Sequence, residues 1–417
     1  MIFLLMVAIF ALLAMAVRLP IGPALALAAL AGALLGGEGP ALRHLVEGSF
    51  GYFDTILIIA AAMVFMKVLQ ASGILDTLTS LMLAAFARRR IPLLLAAMFL
   101  VMFPGMITGS STAAVLSTGA LVAPVLIRLG LDRVKAAAFI AMGGILGMIA
   151  PPVNILVMIM GGGVDMPYAG VAVPLLVIVV PLAVIFAFWF GRQGLRPADK
   201  DVRSVLPESL AGRYGFRLFI PLLVVLALLL LQGLAVRGVP DIGIPAIFLI
   251  GSAAGAFCGR RFNFWRAAQD AAREAMPILA ILAGVGMFIQ VMTLTGGRGW
   301  TVTGFLSLPP VLLYLGIAAS LPLFGAVSAF GSASILGVPF ILALIGRNAV
   351  ITSSALSAVA GLGDLMPPTA LAGIFAAQVV GEKNYFRVLR HCLLPALCQL
   401  AAGIGVLLAA PLLDKIM

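Results

Sequence analysis

Glycines, hydroxyl side chains and proline pairs recur in two sets along the chain, and such residues could build an ion-binding site. The sets lie at residues 104–112 (PGMITGSST) with 147–154 (GMIAPPVN), and at 325–334 (GAVSAFGSAS) with 361–369 (GLGDLMPPT). Glycine lets the backbone turn where a helix stops, and Ser and Thr hydroxyls satisfy freed backbone groups or bind ions. The pattern therefore predicts two helix breaks in each half of the chain.

The Pro-Pro pairs indicate cation chemistry. A Pro-Pro pair inside a helix removes two amide donors and leaves upstream carbonyl groups free to coordinate a hard monovalent cation such as Na⁺. Asp364 is the carboxylate within these breaks, and an ionisable residue at membrane depth is a functional candidate. The predicted cation ligands are Ser110, Pro151, Asn154, Ser332, Gly363, Asp364 and Thr369.

The restarting helices indicate anion chemistry at the same places. A helix N-terminus inside a membrane directs partial positive charge and free amide groups at a bound anion. The predicted substrate-binding residues are Gly109, Ser110, Ser111, Thr112, Gly331, Ser332 and Ser334.

Composition identifies the elements that must position these residues as membrane helices. The chain has 417 residues, of which 63% are hydrophobic and 10% charged, and a soluble domain of this size needs more charge on its surface. The net charge of +11 resides in short loops between apolar stretches, which favours a membrane protein over a nucleic-acid-binding one. Three cysteines and two histidines show no metal-binding or catalytic spacing, so we do not expect an enzyme.

We predict an all-α polytopic membrane protein with a first half at 1–190, a cytoplasmic connector at 191–216 and a second half at 217–417. Each half contains a hairpin and a broken helix. The hairpins are expected at about 91–127 and 309–345, and the broken helices at about 136–160 and 349–378. The remaining helices are predicted near 2–17, 21–36, 52–72, 168–190, 217–236, 244–258, 276–295 and 392–412, with amphipathic segments ending near 87 and at 262–275.

The positions of the basic residues predict the topology. If both hairpins dip into the membrane and return, 20 of the 26 Lys and Arg residues lie on one side, which the positive-inside rule assigns to the cytoplasm. They are Arg18 and those within 88–90, 128–135, 192–217, 260–273 and 383–390. This arrangement predicts periplasmic N- and C-termini, one hairpin inserted from the cytoplasm and the other from the periplasm.

Internal similarity predicts that the halves are repeats. Residues 65–73 (FMKVLQASG) match 288–296 (FIQVMTLTG) at a spacing of 223 residues, and Gly109-Ser110 matches Gly331-Ser332 at 222. The Pro-Pro pairs follow in the same order. Because the topology places the two copies in opposite orientations, we predict an inverted repeat, as secondary transporters often have.

The sequence resembles the large membrane subunit of the tripartite ATP-independent periplasmic (TRAP) transporters. The likeness is carried mainly by residues 100–175, with GSSTAAV, Pro124, LGLDRVKAAAF and GMIAPPVN. Thr112-Ala113-Ala114 departs from the family, which often has an acidic residue there. The resemblance implies an elevator-type, Na⁺-coupled importer of organic acids such as dicarboxylates in the bacterial inner membrane, with two sodium sites flanking the substrate. It also implies two partners, a small four-helix membrane subunit and a periplasmic substrate-binding protein.

Other interpretations remain open at this level. A stand-alone divalent-anion/Na⁺ symporter could have the same hairpins without needing a binding protein. A membrane scaffold subunit would not explain the paired backbone breaks, and a Gly-Ser-Ser motif can also be a helix-packing face. Lys67 is predicted to pair with a carboxylate such as Asp54 or Asp76, in a structural role.

Overall fold

The computed structural model describes residues 2–87, 89–191, 205–233 and 240–414, and this part of the chain is helical with no strand. Most of the predicted connector (192–204) and the basic residues Arg88, Arg237 and Lys415 lie outside the described residues. The helices are α1 (Ile2–Ala16), α2 (Ile21–Leu35), α3 (Leu42–Phe50), α4 (Phe53–Ala71), α5 (Ile74–Phe86), α6 (Arg90–Thr108), α7 (Ser111–Arg128), α8 (Arg133–Ile149), α9 (Ile155–Gly162), α10 (Ala172–Gly191), α11 (Ala211–Gly233), α12 (Gly243–Cys258), α13 (Phe264–Leu294), α14 (Gly297–Leu306), α15 (Pro310–Gly325), α16 (Ala329–Ala343), α17 (Ala349–Leu365), α18 (Leu371–Val379) and α19 (Tyr385–Leu413).

Seven of these helices are long and apolar enough to cross a membrane, as the composition predicted. They are α4, α6, α7, α10, α11, α13 and α19. The arms of the second hairpin and of both broken helices are shorter, because glycine and proline interrupt them. The polytopic all-α prediction is therefore confirmed.

The segment at 262–295 differs from the prediction. An amphipathic piece followed by a separate span was expected, whereas α13 is one helix with Pro277 inside it. Asn263 caps its start, where the side-chain carbonyl accepts a hydrogen bond from the Arg266 amide at 3.1 Å. A well-capped first turn extends a helix into polar sequence, and the prediction gave that contribution too little weight. The last helix likewise begins at Tyr385 rather than 392.

The matching segments 65–73 and 288–296 end their helices alike. α4 ends at Ala71 and α5 begins after Gly73, while α13 ends at Leu294 and α14 begins after Gly296. Both glycines have positive φ angles, 76° and 71°. The spacing of 223 residues found in the sequence therefore relates the two helix junctions as well. The helix α14 was not predicted, because only ten residues separate its ends.

The long helix α13 packs against α2, α3 and α4, and α4 also packs against α12. Small residues permit these close approaches. A Cβ on Gly286 would lie 1.9 Å from the carbonyl oxygen of Gly48 in α3, and one on Gly22 in α2 would lie 2.5 Å from the backbone of Ala280. We refer to α1–α4 and α11–α14 as the scaffold.

The hairpins and broken helices pack around α8, which is buried along almost its whole length. Apolar residues surround the axis of α8 (AAAFIAMGGILGMI), as expected for a helix with no exposed face. The arms of the two broken helices pack crosswise, α8 against α18 and α9 against α17. We refer to α6–α10 and α15–α19 as the bundle. The predicted domain boundaries stay a prediction, because the two halves interleave in this core.

Candidate functional site

The first hairpin breaks at Gly109. This residue ends α6 with φ +64°, and a Cβ there would lie 2.5 Å from the side chain of Ile155, so both conformation and space favour glycine. Ser110 then caps α7, its hydroxyl accepting a hydrogen bond from the Ala113 amide at 3.3 Å. The tip of the hairpin thus presents the N-terminus of α7, beginning at Ser111.

The second hairpin has the same construction in a different register. Its first arm ends at Gly325, and Ser328 caps α16 by accepting a hydrogen bond from the Gly331 amide at 3.1 Å. The residue equivalent to Ser110 is therefore Ser328, 218 residues later. Pro104 and Pro322, each six residues before the cap, keep the same spacing. The predicted match of Gly109-Ser110 with Gly331-Ser332 is wrong by four residues, because the cap and not the Gly-Ser pair starts the helix.

Both broken helices have a cis Pro-Pro bond at the break, Pro151-Pro152 and Pro367-Pro368. The residue after each pair binds its own hairpin. The Val153 amide donates to the carbonyl oxygen of Met106 at 3.1 Å, and the Thr369 amide and hydroxyl donate to that of Ala326 at 3.3 and 2.8 Å. Each hairpin is therefore fixed to the broken helix that follows it.

Glycines make the same contacts close. A Cβ on Gly105 would lie 2.8 Å from the carbonyl carbon of Gly147, and one on Gly363 would lie 2.5 Å from the Cα of Gly325. Gly363 thus has a packing role that explains its type, and its backbone oxygen accepts a hydrogen bond from the Met366 amide at 2.9 Å. Its assignment as a cation ligand stays a prediction.

The two halves meet at Asp364 and Ser111. Asp364 lies in the last turn of α17 with 7% of its surface exposed, and the Ser111 hydroxyl donates a hydrogen bond to its carboxylate. The tip of the first hairpin therefore contacts the break of the second half. A carboxylate beside a hydroxyl and a helix end is a donor set of the kind that Na⁺ prefers.

A cavity of about 570 Å³ opens beside this contact. One wall is the scaffold, with α4 and α13, and the other is the bundle, with α7, α18 and Asp364. The residues that line it are Met63, Met66, Lys67, Gln70, Thr108, Ser110, Ser111, Thr112, Ala113, Leu116, Ser117, Met148, Glu274, Pro277, Ile278, Ile281, Phe330, Asp364, Leu371 and Phe375.

Lys67 lies in this wall and binds Glu274 of α13. The predicted pairing with Asp54 or Asp76 is therefore wrong, since the partner comes from a helix 207 residues away in sequence. Local spacing could not reveal such a contact, although the alignment of α4 with α13 in the repeat was a signal that these helices are related.

The predicted site residues divide into two groups. Ser110, Ser111, Thr112 and Asp364 line the cavity, with Gly109 at the break beside them. The remaining predicted residues lie away from its surface, namely Gly331, Ser332, Ser334, Pro151, Asn154, Gly363 and Thr369.

Hydroxyl groups of the second hairpin face inward. The Ser332 hydroxyl donates to the carbonyl oxygen of Leu321 at 2.7 Å, between the two arms, and that of Ser334 donates to Gly331 at 2.9 Å. Both residues are fully buried. In this conformation, therefore, neither can touch a molecule in the cavity, and Phe330 is the residue of this tip that lines it.

Asn154 acts as a helix cap. Its side-chain oxygen accepts a hydrogen bond from the Val157 amide at 3.0 Å, and its amide group donates to the Ile149 carbonyl at 2.8 Å and to Ser357 at 3.0 Å. These bonds satisfy the carbonyl group upstream of the Pro-Pro pair that the sequence left free. The two breaks thus differ, because Asp364 faces the cavity and Asn154 supports the backbone.

Contacts between bundle and scaffold lie at the other end of α4. The Tyr52 hydroxyl donates to the carbonyl oxygen of Ile159 at 2.9 Å, and the Arg298 guanidinium donates to that of Gly163 at 2.7 Å. The Phe305 and Phe340 rings stack at 4.3 Å. These contacts close the molecule beside the second hairpin, whereas the cavity is open beside the first.

The described residues contain no group of three or more His, Cys, Asp or Glu side chains that could hold a metal ion. The donor set at Asp364, one carboxylate with hydroxyl and carbonyl oxygens, suits a monovalent cation that is carried and released better than a tightly held transition metal.

Comparisons with known proteins agree with this architecture. The family model described as "Tripartite ATP-independent periplasmic transporter, DctM component" matches residues 6–411. The crystal structure of the Alcanivorax borkumensis YdaH transporter is similar in fold, with a TM-score of 0.59 and 19% sequence identity, over 88% of this chain and 87% of that one. A search among curated proteins gave no match.

Proposed function

The chain belongs to the DctM family of tripartite ATP-independent periplasmic transporters, and we propose that it imports a small organic acid by using the energy of a Na⁺ gradient. Members of this family are membrane components of secondary transporters for organic acids, working with a small membrane subunit and a periplasmic binding protein. The observation that carries the proposal is the cavity in which Ser111 of the first hairpin meets Asp364 of the second broken helix.

In this proposal the N-terminus of α7 binds the substrate. The amide groups of its first turn and the hydroxyls of Ser110, Ser111 and Thr112 border the cavity, and such a helix end stabilises an anion. Asp364, assisted by Ser111, binds one Na⁺. Binding the cation next to the anion lowers the electrostatic cost of placing either charge inside the membrane, which couples the two movements.

A second cation site would lie at the first break, using carbonyl oxygens near Pro151. The hydrogen bonds of Asn154 support this difference between the sites, because they leave less of its side chain available to a cation than Asp364 offers. The two sodium sites are therefore not equivalent in our proposal.

We also propose an inverted repeat and an elevator mechanism. Equal construction of the two hairpins, caps and Pro-Pro breaks supports the repeat. The cavity between scaffold and bundle supports a movement of the bundle along α4 and α13. By the distribution of basic residues, the open side faces the cytoplasm: Arg260 donates backbone and guanidinium hydrogen bonds to the end of α4, at Ser72 and Ala71.

Uptake into proteoliposomes tests the proposal. The chain, its small membrane subunit and the binding protein encoded beside it are reconstituted, and uptake of labelled organic acids is measured with an inward Na⁺ gradient. We expect accumulation that ceases when K⁺ replaces Na⁺ on both sides. Unchanged uptake in K⁺ would contradict the sodium assignment, and full uptake without the binding protein would favour the stand-alone divalent-anion symporter.

A further inference from the structure

We infer that Lys67 is the cationic residue that binds the carboxylate of the substrate, and that Glu274 occupies Lys67 until the substrate displaces it. The inference rests on the proposed function, since it assigns a partner to the organic acid in the same cavity. It adds a scaffold residue to a site otherwise built from the hairpins and breaks.

The charges in the cavity point to Lys67. The described charged residues that line it are Lys67, Glu274 and Asp364. Lys67 is thus the cationic side chain that a carboxylate in the cavity can reach, and the N-terminus of α7 contributes only partial charge. An organic acid bound without Lys67 would have no full positive charge from the described residues that line this cavity.

Burial of the two partners is unequal, and this difference favours exchange. The side chain of Lys67 is 18% exposed and that of Glu274 is 53% exposed. A mostly buried ammonium group needs a partner, since an unpaired buried charge is costly. Glu274 can turn toward water at small cost, because an exposed carboxylate is well solvated. A substrate carboxylate could therefore replace Glu274 while Lys67 keeps one ion pair.

The position of the pair also argues for a role in binding. Lys67 and Glu274 join α4 to α13, two helices that already pack closely through apolar side chains such as Met63 and Ile281. The pair lies on the cavity surface and not inside that packed interface. The same wall stays with the scaffold, so Lys67 meets the substrate only while the bundle is in the present position.

The cavity charge predicts an order of binding. With Lys67 paired to Glu274, Asp364 leaves the cavity with a net negative charge that repels an anion. A cation at Asp364 removes this repulsion, after which the substrate carboxylate can displace Glu274. Na⁺ bound first should therefore increase the affinity for the organic acid at Lys67.

The test uses Lys67→Gln and Glu274→Gln in the full chain, purified in lipid nanodiscs. Succinate is the probe, and succinamide, which has the same length without charge, is the control ligand. Binding is followed through the thermal unfolding midpoint in NaCl. We expect Lys67→Gln to weaken succinate binding at least about tenfold and Glu274→Gln to strengthen it several-fold, because the competitor is gone. Succinamide should give no shift with any variant.

Asp270→Asn is the matched control, a carboxylate one turn away on α13 that does not line the cavity; its affinity should equal that of the unmodified chain. Lys67→Arg, which keeps the charge, should bind succinate within a few-fold. If Lys67→Gln does not fold, the direction of the Glu274→Gln change still decides the question.

Opposite directions for the two Gln variants are the signature of competition. A purely structural ion pair would be broken equally from either end, so weaker binding in both variants, or no change in either, would overturn the inference. If the unmodified chain responds to none of succinate, malate and lactate with Na⁺ present, the proposed function itself fails.

Discussion

The two hairpin tips have the same local construction and opposite surroundings. Ser110 and Ser328 each cap a helix six residues after a proline, and each following helix contains a π-helical turn, at Val115–Gly119 and Ala333–Gly337. The first tip borders an open cavity, and Leu116 beyond it is 49% exposed. Ser332 and Ser334, in contrast, are fully buried.

Scaffold aromatics account for the difference. The Phe10 ring of α1 stacks on Phe324 at 5.9 Å, and Phe305 of α14 stacks on Phe340. The first tip has no such cover among the described residues that line the cavity. Because the tips are alike in construction, their exposure depends on where the bundle sits against the scaffold. This comparison teaches that the open and closed tips are two positions of one device, and the following predictions test that view.

The largest expected effect comes from Asp364→Asn. Asp364 has no acidic counterpart in the first break, where Asn154 serves as a cap, so losing its charge should remove the better cation site. We expect Na⁺-driven uptake to fall at least about 100-fold, equivalent to about 2.7 kcal/mol, with normal yield of folded protein. Asp54→Asn, at an exposed position of α4, should leave uptake unchanged. Uptake close to normal in the Asp364 variant would remove this residue from the coupling site.

Bulky substitutions should separate the two tips. Ser110→Phe projects into the cavity and should abolish uptake with little loss of folded protein. Ser332→Phe places an aromatic ring between two packed arms, where overpacking costs about 1–3 kcal/mol, so folded yield and thermal stability should fall as well. Size-exclusion profiles and thermal midpoints measure the difference. Equal stability of both variants would show that the second tip is not packed as described.

The crossing glycines should show where the two breaks are equivalent. Gly147→Ala and Gly363→Ala each place a Cβ within 2.5 Å of the opposing hairpin backbone, and each should lower stability by about 1–3 kcal/mol. Gly405→Ala, a helical position with open space around it, should be neutral or slightly stabilising. A large effect from only one of the crossing variants would mean that the breaks differ in packing as well as in charge.

Much of the architecture could be predicted from the sequence, because apolar length and Gly, Ser and Pro punctuation are local signals. They located both hairpins, both Pro-Pro breaks and Asp364. Helix α14 and the continuous helix α13 could not be recognised in this way, since a short helix and a capped polar extension depend on tertiary contacts.

The register of the second tip could not be fixed by composition. Residues 325–334 contain two glycines and Ser at 328, 332 and 334, and only the hydrogen bond to the Gly331 amide identifies Ser328 as the cap. The partner of Lys67 was also beyond sequence reasoning, because it joins helices from the two halves. Non-local contacts of this kind decide which hydroxyl groups face the cavity.

Cysteine labelling at the two tips tests the central claim, that they take turns in facing water. Ser110→Cys and Ser328→Cys are compared in a chain whose native Cys258, Cys392 and Cys398 are replaced by Ala, using a membrane-impermeant maleimide added from either side. Tyr52→Phe with Arg298→Gln removes the two hydrogen bonds that close the second side.

The account predicts that the thiol introduced at the first tip is labelled from the cytoplasmic side in the parent chain. The thiol introduced at the second tip should be labelled several-fold more from the periplasmic side once the two closing hydrogen bonds are removed. Labelling of both tips from the same side, or labelling of the second tip that does not respond to the loss of those contacts, would contradict it.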